Sequence, residues 1–448
     1  MGSTKKYWKG IEELKETPAF LEQRDQEFPA QSAIESFLLD EKLAEASTGR
    51  RDFLKFLGFS VAAATLASCE APVTKAVPYV NKPENVTPGV ATWYASTYYD
   101  GLSYASILVK TREGRPIFIK GNKDFGFTKG VTNPQIISSV LGLYDSERLN
   151  GARKKGSKAN VAVNTADQAI IQGLKNAKSI AILSPSIISP SLLKGIQLFT
   201  ETYTKEGNRS VELVQYDAIS YEAIRKAHLQ NFGEARIPSY DFSKARTIVS
   251  VAADFCSTWL LSNEYAQQYG ATRNPDGEFM STHFQFESNL SITGSNADYR
   301  GQIKPSETTL VLLYLLNNLK GTGGAGLKGD LLKIANAAVK SLRKSGKNSL
   351  VVCGTNRLED QLLVNAINHQ LSAYGTTIDL SNDVRLFGAE NSKAEVLFSN
   401  ILKGKGPDVL IDLGTNPVYT HSQGKELKAA LGKLPLFVST AKYSDETS

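Results

Sequence analysis

Cys69, Cys256 and Cys353 are the three thiols of this 448-residue chain, and His228, His283, His369 and His421 its four imidazoles. The thiols are too few and too scattered for a disulfide framework or a four-thiolate metal site. The histidines are equally far apart, so no ligand spacing for zinc or haem emerges. Cys256, in "AADFCSTWLL", and Cys353, after "SLVV", both read as small buried hydrophobes at strand ends. Any redox metal is therefore expected elsewhere than on these side chains.

Cys69 differs because of what precedes it. Arg50 and Arg51 with Phe53, Leu54 and Lys55 lead into an apolar run of about a dozen residues that ends at Leu66-Ala67-Ser68-Cys69. The run falls short of the ~20 apolar residues a bilayer span needs. A twin arginine before such a run suits export of a folded protein, and Leu-Ala-Ser-Cys resembles a lipobox, where the cysteine is acylated and becomes the mature N-terminus. A core helix starting at Arg51 is the alternative, but Ala62, Ala63 and Ala64 leave no polar stripe of helical period. Residues 70–91 carry Pro72, Pro78, Pro83 and Pro88 and read as an extended tether. Residues 1–49 form a polar leader, either disordered or recognised before export.

The elements that would hold a site lie beyond the tether. The formal charge of +6 is mild, and acids are interspersed with bases, which argues against a nucleic-acid partner. Residues 92–156 read as a small β lobe: "SYASILVKTREGRPIFIKGN" alternates apolar residues on either side of a turn at Glu113-Gly114. Strands and helices then alternate, which implies parallel sheets with helical crossovers and two lobes, 157–306 and 307–448, the second incomplete. Residues 283–307, "HFQFESNLSITGSNADYRGQIKPSE", read as a long polar loop, either functional or merely solvated. Tyr99, Asp298 and Arg300 are candidates for a buried polar network. Gly321, Gly323, Gly324 and Gly326 mark a loop that lacks the Lys-Ser/Thr ending of a phosphate loop.

"REGRPIFIKGN" with "LYDSERLNGARKKG", and "DVLIDLGTNPVYT" with "LFVSTAKYSDETS", resemble the large-subunit family of molybdopterin oxidoreductases over most of residues 90–448. The leader "YWKGIEEL", the internal twin arginine, "DFCSTWLL", the 283–307 stretch and "SLVVCGTNRLEDQLLVNAINHQL" are more closely similar to the iron-sulfur B subunits of alternative complex III, a membrane quinol:cytochrome c oxidoreductase. The resemblance implies an α/β fold with molybdopterin-oxidoreductase-like lobes behind the small β lobe. Catalytic members of the parent family bind a [4Fe-4S] cluster through a Cys-x-x-Cys run before the opening hairpin. Here that stretch reads "TWYASTYYDGLSYAS" and has no cysteine. Gly414, Asn416 and Pro417 match the turn that approaches the pterin dinucleotide in relatives, and are read as a vestigial cofactor region.

What the resemblance implies is a non-catalytic scaffold domain with no cofactor of its own. It would be held at the periplasmic face of the bacterial inner membrane by lipidated Cys69. Iron-sulfur clusters are expected in a C-terminal half beyond Ser448, and haem c in a multihaem cytochrome partner beside an integral membrane quinol-oxidising subunit. Two rival readings stand. A catalytic molybdopterin oxidoreductase without the N-terminal cluster predicts a basic cofactor cleft including Arg300, Lys304 and Arg357, and an isolated surface lipoprotein predicts no haem-bearing partner.

Overall fold

The computed structural model describes residues 91–448 except Lys158, Asn208 and Ala325, together with Pro18, Glu84, Val86, Thr87, Gly89 and Val90. The leader, the export signal at Arg50, Arg51, Phe53, Leu54 and Lys55, the lipobox Cys69 and most of the tether lie outside the described residues. The chain divides into two units, Met1–Thr92 and Trp93–Ser448, and the second carries the sheets. Among the described residues, no helix is long and apolar enough to cross a membrane.

Strands β1 (Thr92–Tyr99), β2 (Tyr104–Arg112) and β3 (Arg115–Gly121) form a sheet in that order. Glu113 and Gly114 both have positive φ, 52° and 78°, which suits the two-residue turn expected from the sequence. Antiparallel pairing sets Val109 opposite Ile119 and Lys110 opposite Phe118. Ala105, Ile107 and Ile119 bury one face against Ile136 and Val140. Ile136 lies on helix α1 (Pro134–Ser138), whose Asn133 cap accepts the Ile136 amide at 2.8 Å. Strands β4 (Ala152–Arg153) and β5 (Asn160–Val161) make a short antiparallel pair after it.

The chain then alternates: α2 (Val163–Asn176), β6 (Ser179–Ser184), α3 (Pro190–Gly207), β7 (Ser210–Gln215) and α4 (Glu222–Phe232). There follow β8 (Pro238–Tyr240), β9 (Thr247–Val251), α5 (Ser262–Ala271), β10 (Thr282–Glu287), α6 (Ile292–Ser295) and β11 (Tyr299–Gln302). Next come α7 (Thr308–Lys320), α8 (Gly329–Ser345), β12 (Ser349–Cys353), α9 (Leu358–Gln370) and β13 (Ile378–Asp383). The last are α10 (Asn391–Leu402), β14 (Val409–Asp412), α11 (Pro417–Thr420), α12 (Gly424–Leu431) and β15 (Leu436–Ser439).

The result is a mixed α/β fold with parallel sheets flanked by helices. One sheet has the order β15-β14-β6-β7 and the other β11-β10-β9-β12, with every neighbouring pair parallel. β8 and β13 pair separately, antiparallel. Helices cover both faces, so strands such as β9 and β12, the latter at the sheet edge, are buried at every residue and run almost continuously apolar. Alternate residues serve opposite cores: Val249, Val251 and Val351 pack with Leu312, Leu315 and Ala335, whereas Ile248, Leu350 and Val352 pack with Phe242 and Phe255.

Two expectations from sequence need correction. The sheets do not divide at 306/307: β12 joins β9, β10 and β11 from before that point, and β14 and β15 return to pair beside β6. Strand periodicity specifies which residues face a core but not which distant strand lies alongside. Residues 283–307 are also not one long loop, because most of β10, then α6 and β11, build a parallel crossover within them.

Candidate functional site at the carboxyl ends of the parallel sheets

In each parallel sheet the chain order reverses between two neighbouring strands, β6 and β14 in one, β9 and β12 in the other. Open α/β sheets take ligands beyond the strand carboxyl ends at such points.

At the first point, the Leu413 amide donates to the Leu183 carbonyl at 2.8 Å. Gly414 follows with φ 89°, and no atom lies within 4 Å of where a Cβ would sit. Pro417 is buried at the start of α11. Asn416 is engaged on both sides of its amide: Nδ2 donates to Glu446 at 2.7 Å, and Oδ1 accepts from Thr447 at 2.7 Å. Just before this turn, Asp412 is fully buried and accepts from the Thr415 amide at 2.9 Å, the Thr415 hydroxyl and Ser439 Oγ at 3.2 Å. Burial pushes the Asp412 carboxyl above its ordinary value.

The end of β7 is covered by residues 386–392. Asp217 accepts from the Ser186 amide at 2.8 Å and from Ser186 Oγ at 2.6 Å. Ser186 Oγ in turn accepts from the amides of Gly388 and Ala389 at 2.6 and 2.8 Å. Asn391 donates to the Asp217 carbonyl at 2.8 Å, and Tyr99 donates to the Leu386 carbonyl at 2.7 Å. Burial raises the Asp217 carboxyl as well, although Ser186 partly offsets it.

At the second point the backbones touch. The Gly354 amide donates to the Val251 carbonyl at 2.9 Å, and a Cβ on Gly354 would lie 2.0 Å from the Ala252 carbonyl oxygen. Glu287 ends β10 beside it and is almost wholly buried. Its carboxylate accepts from Arg300 Nε at 2.6 Å, Gln285 Nε2 at 3.1 Å, the Ser291 amide at 3.2 Å and the Ser291 hydroxyl. Four donors fill the lone-pair sites of one carboxylate. Burial disfavours the charge, but Arg300, Ser291 and Gln285 outweigh it and hold the carboxyl below its ordinary value.

His283, Gln285 and Glu287 alternate along β10 and share one buried face. His283 Nε2 meets Gln285 Oε1 at 3.2 Å, and Tyr269 Oη meets His283 Nδ1 at 3.2 Å. Burial depresses the His283 imidazole to about 4, so it is neutral at pH 7.

Tyr99, Asp298 and Arg300 do not form the network proposed for them. Asp298 takes both nitrogens of Arg273 at 2.8 and 2.9 Å and the His283 amide at 2.8 Å. Arg300 goes to Glu287, and Tyr99 to residues 386–392. Burial pushes the thiols of Cys256 and Cys353 up to about 11, which keeps both protonated at neutral pH. Among the described residues, no group of three or more His, Cys, Asp or Glu side chains is placed to hold a metal.

The strand-end acids were missed in the sequence because acidic residues at the ends of apolar strands do not reveal their donors. The sign available was position alone: each of Asp217, Glu287 and Asp412 closes or follows a strand.

No family model matches the chain. Over 386 residues it is 23% identical to the menaquinone reductase, molybdopterin-binding-like subunit of Nitratidesulfovibrio vulgaris (Hildenborough). The chain is similar to that subunit. The match covers 76% of this chain and 55% of the relative, so the chain spans about half the length of the curated protein it matches. A crystal structure of the formyltransferase/hydrolase complex from Methylorubrum extorquens, in complex with methylofuran, overlaps 65% of this chain and 82% of the matched chain. The TM-score is 0.42 at 15% sequence identity.

Proposed function

We propose that this chain is a non-catalytic, molybdopterin-oxidoreductase-like scaffold in a membrane-bound quinol:cytochrome c oxidoreductase of the alternative complex III type. The similarity to a menaquinone reductase subunit supports a quinone-linked electron-transfer setting. The observation that carries the scaffold reading is the engagement of the strand-end acids. A dinucleotide fold offers an acid at a strand end to a ribose hydroxyl and leaves room for backbone to approach the phosphates. Here Asp217, Glu287 and Asp412 accept from the chain's own donors. Gly354 lies against the Ala252 backbone, where a ligand would need space. These residues do not fit a pterin dinucleotide at the β9/β12 point.

One observation favours the catalytic reading as runner-up: the space beside Gly414 at the β6/β14 point is open. In the scaffold reading, Cys69 is acylated, the body sits at the outer face of the inner membrane, and electrons travel through iron-sulfur and haem centres carried elsewhere in the complex. Affinity purification of the native chain from membranes in mild detergent tests this. A haem c protein and an integral membrane subunit should co-purify with quinol:cytochrome c activity. Recovery of the chain alone, or of oxidoreductase activity in the isolated chain, contradicts the proposal.

A further inference from the structure

The small β lobe is chemically unlike the rest of the body. Residues 92–156 hold ten Lys and Arg against five Asp and Glu, most of the net charge of +6 in a seventh of the chain. Among the described residues, ten of the 26 exposed large apolar side chains also fall there. Charge and apolar exposure therefore coincide in one place.

Two of those bases and two of those apolar side chains meet on one face of the three-stranded sheet. Ile107 and Ile119 point into the lobe's core, so their neighbours of opposite parity on β2 and β3 point away from it. Phe118 sits opposite Lys110 on that outer face, and Lys120 sits opposite Leu108. From β1, Trp93 meets Phe118 edge-on with centroids 6.4 Å apart. Lys120 Nζ stands 4.2 Å from the Trp93 ring centroid and Lys110 Nζ 5.8 Å. Trp93 and Phe118 are nevertheless 38% and 43% exposed. Holding two ammonium groups over one indole on an open strand raises the local positive charge and leaves the ring edge uncovered.

We propose that this face, centred on Trp93, Phe118, Lys110 and Lys120, docks on anionic phospholipid headgroups. An indole with flexible lysine stems suits the membrane interface, where tryptophan sits at headgroup level and lysines keep their charge in the polar layer. The cations at the ring are lysines, which bind phosphate as point charges without fixed geometry, whereas carboxylate recognition on a protein favours the planar fork of arginine. The patch stands on its own residues and holds whether or not Cys69 is acylated or the scaffold assignment is right.

Flotation of the full chain, with Cys69→Ala to prevent acylation, tests it on vesicles of phosphatidylcholine alone and with about one-third phosphatidylglycerol. Any contribution of residues 56–68 is common to all variants. Lys110→Gln with Lys120→Gln should weaken binding to the anionic vesicles about 30-fold, at about 1 kcal/mol per lysine, and leave neutral vesicles unchanged. Lys120 is exposed and Lys110 half-buried, and circular dichroism checks that the double variant is folded. Equal binding by wild type and variant overturns the proposal. Loss of a protein subunit from the native complex with unchanged vesicle binding also overturns it and assigns the face to an acidic protein instead.

Discussion

Glu287 combines near-complete burial, a negative charge and four donors, so its carboxylate is stable there because Arg300, Gln285 and Ser291 surround it. Breaking one side of a buried ion pair costs about 3 kcal/mol or more, reduced here because Arg300 is 28% exposed. Glu287→Gln should therefore lower the unfolding free energy by about 2 kcal/mol at pH 7, read from denaturant titration. The native carboxyl lies below its ordinary value of 4.5, so its contribution is present above that pH and is lost as pH falls through the native value. The difference between wild type and variant should shrink as pH falls below 4.5 and through the native value. A constant difference across the range would show that shape, not charge, stabilises the site. None of this was legible in "HFQFES", because composition treats His283, Gln285 and Glu287 as water-seeking. Their alternation on one buried face, each satisfied by the next, is a property of the fold.

At the scale of elements, local signals were the readable ones. The Glu113-Gly114 turn, the crossover helices and the apolar strands follow from turn chemistry, period and composition, and the structure has them. Strand partnership was not readable: nothing in "DVLIDL" says that it lies beside "SIAILS" rather than beside "SLVVC". The β9/β12 point is likewise a matter of close approach, visible in sequence as one glycine among 35. Gly354→Ala tests that closure. Its Cβ would sit 2.0 Å from a carbonyl oxygen that cannot rotate away, so the two loops must separate. Overpacking of this kind costs about 1–3 kcal/mol, seen as a fall of several degrees in Tm. An unchanged Tm would mean that the crevice opens freely and would remove a main support of the scaffold reading.

For the whole molecule, the fold class was legible and the chemistry only in outline. Parallel sheets with helices on both faces are what the alternating pattern implied, while Gly414, Asn416 and Pro417 take on physical meaning once Asn416 is seen bonded to Glu446 and Thr447. Such a body offers rigid strand ends, a basic aromatic face on its β lobe and acids already engaged within the chain. The central claim is that the lobe fold serves here without a metal-pterin cofactor of its own. Molybdenum and iron content per chain, measured by elemental analysis on the complex purified natively in mild detergent, tests that claim most directly. Iron without molybdenum is the result the scaffold account predicts, and one molybdenum per chain would contradict it.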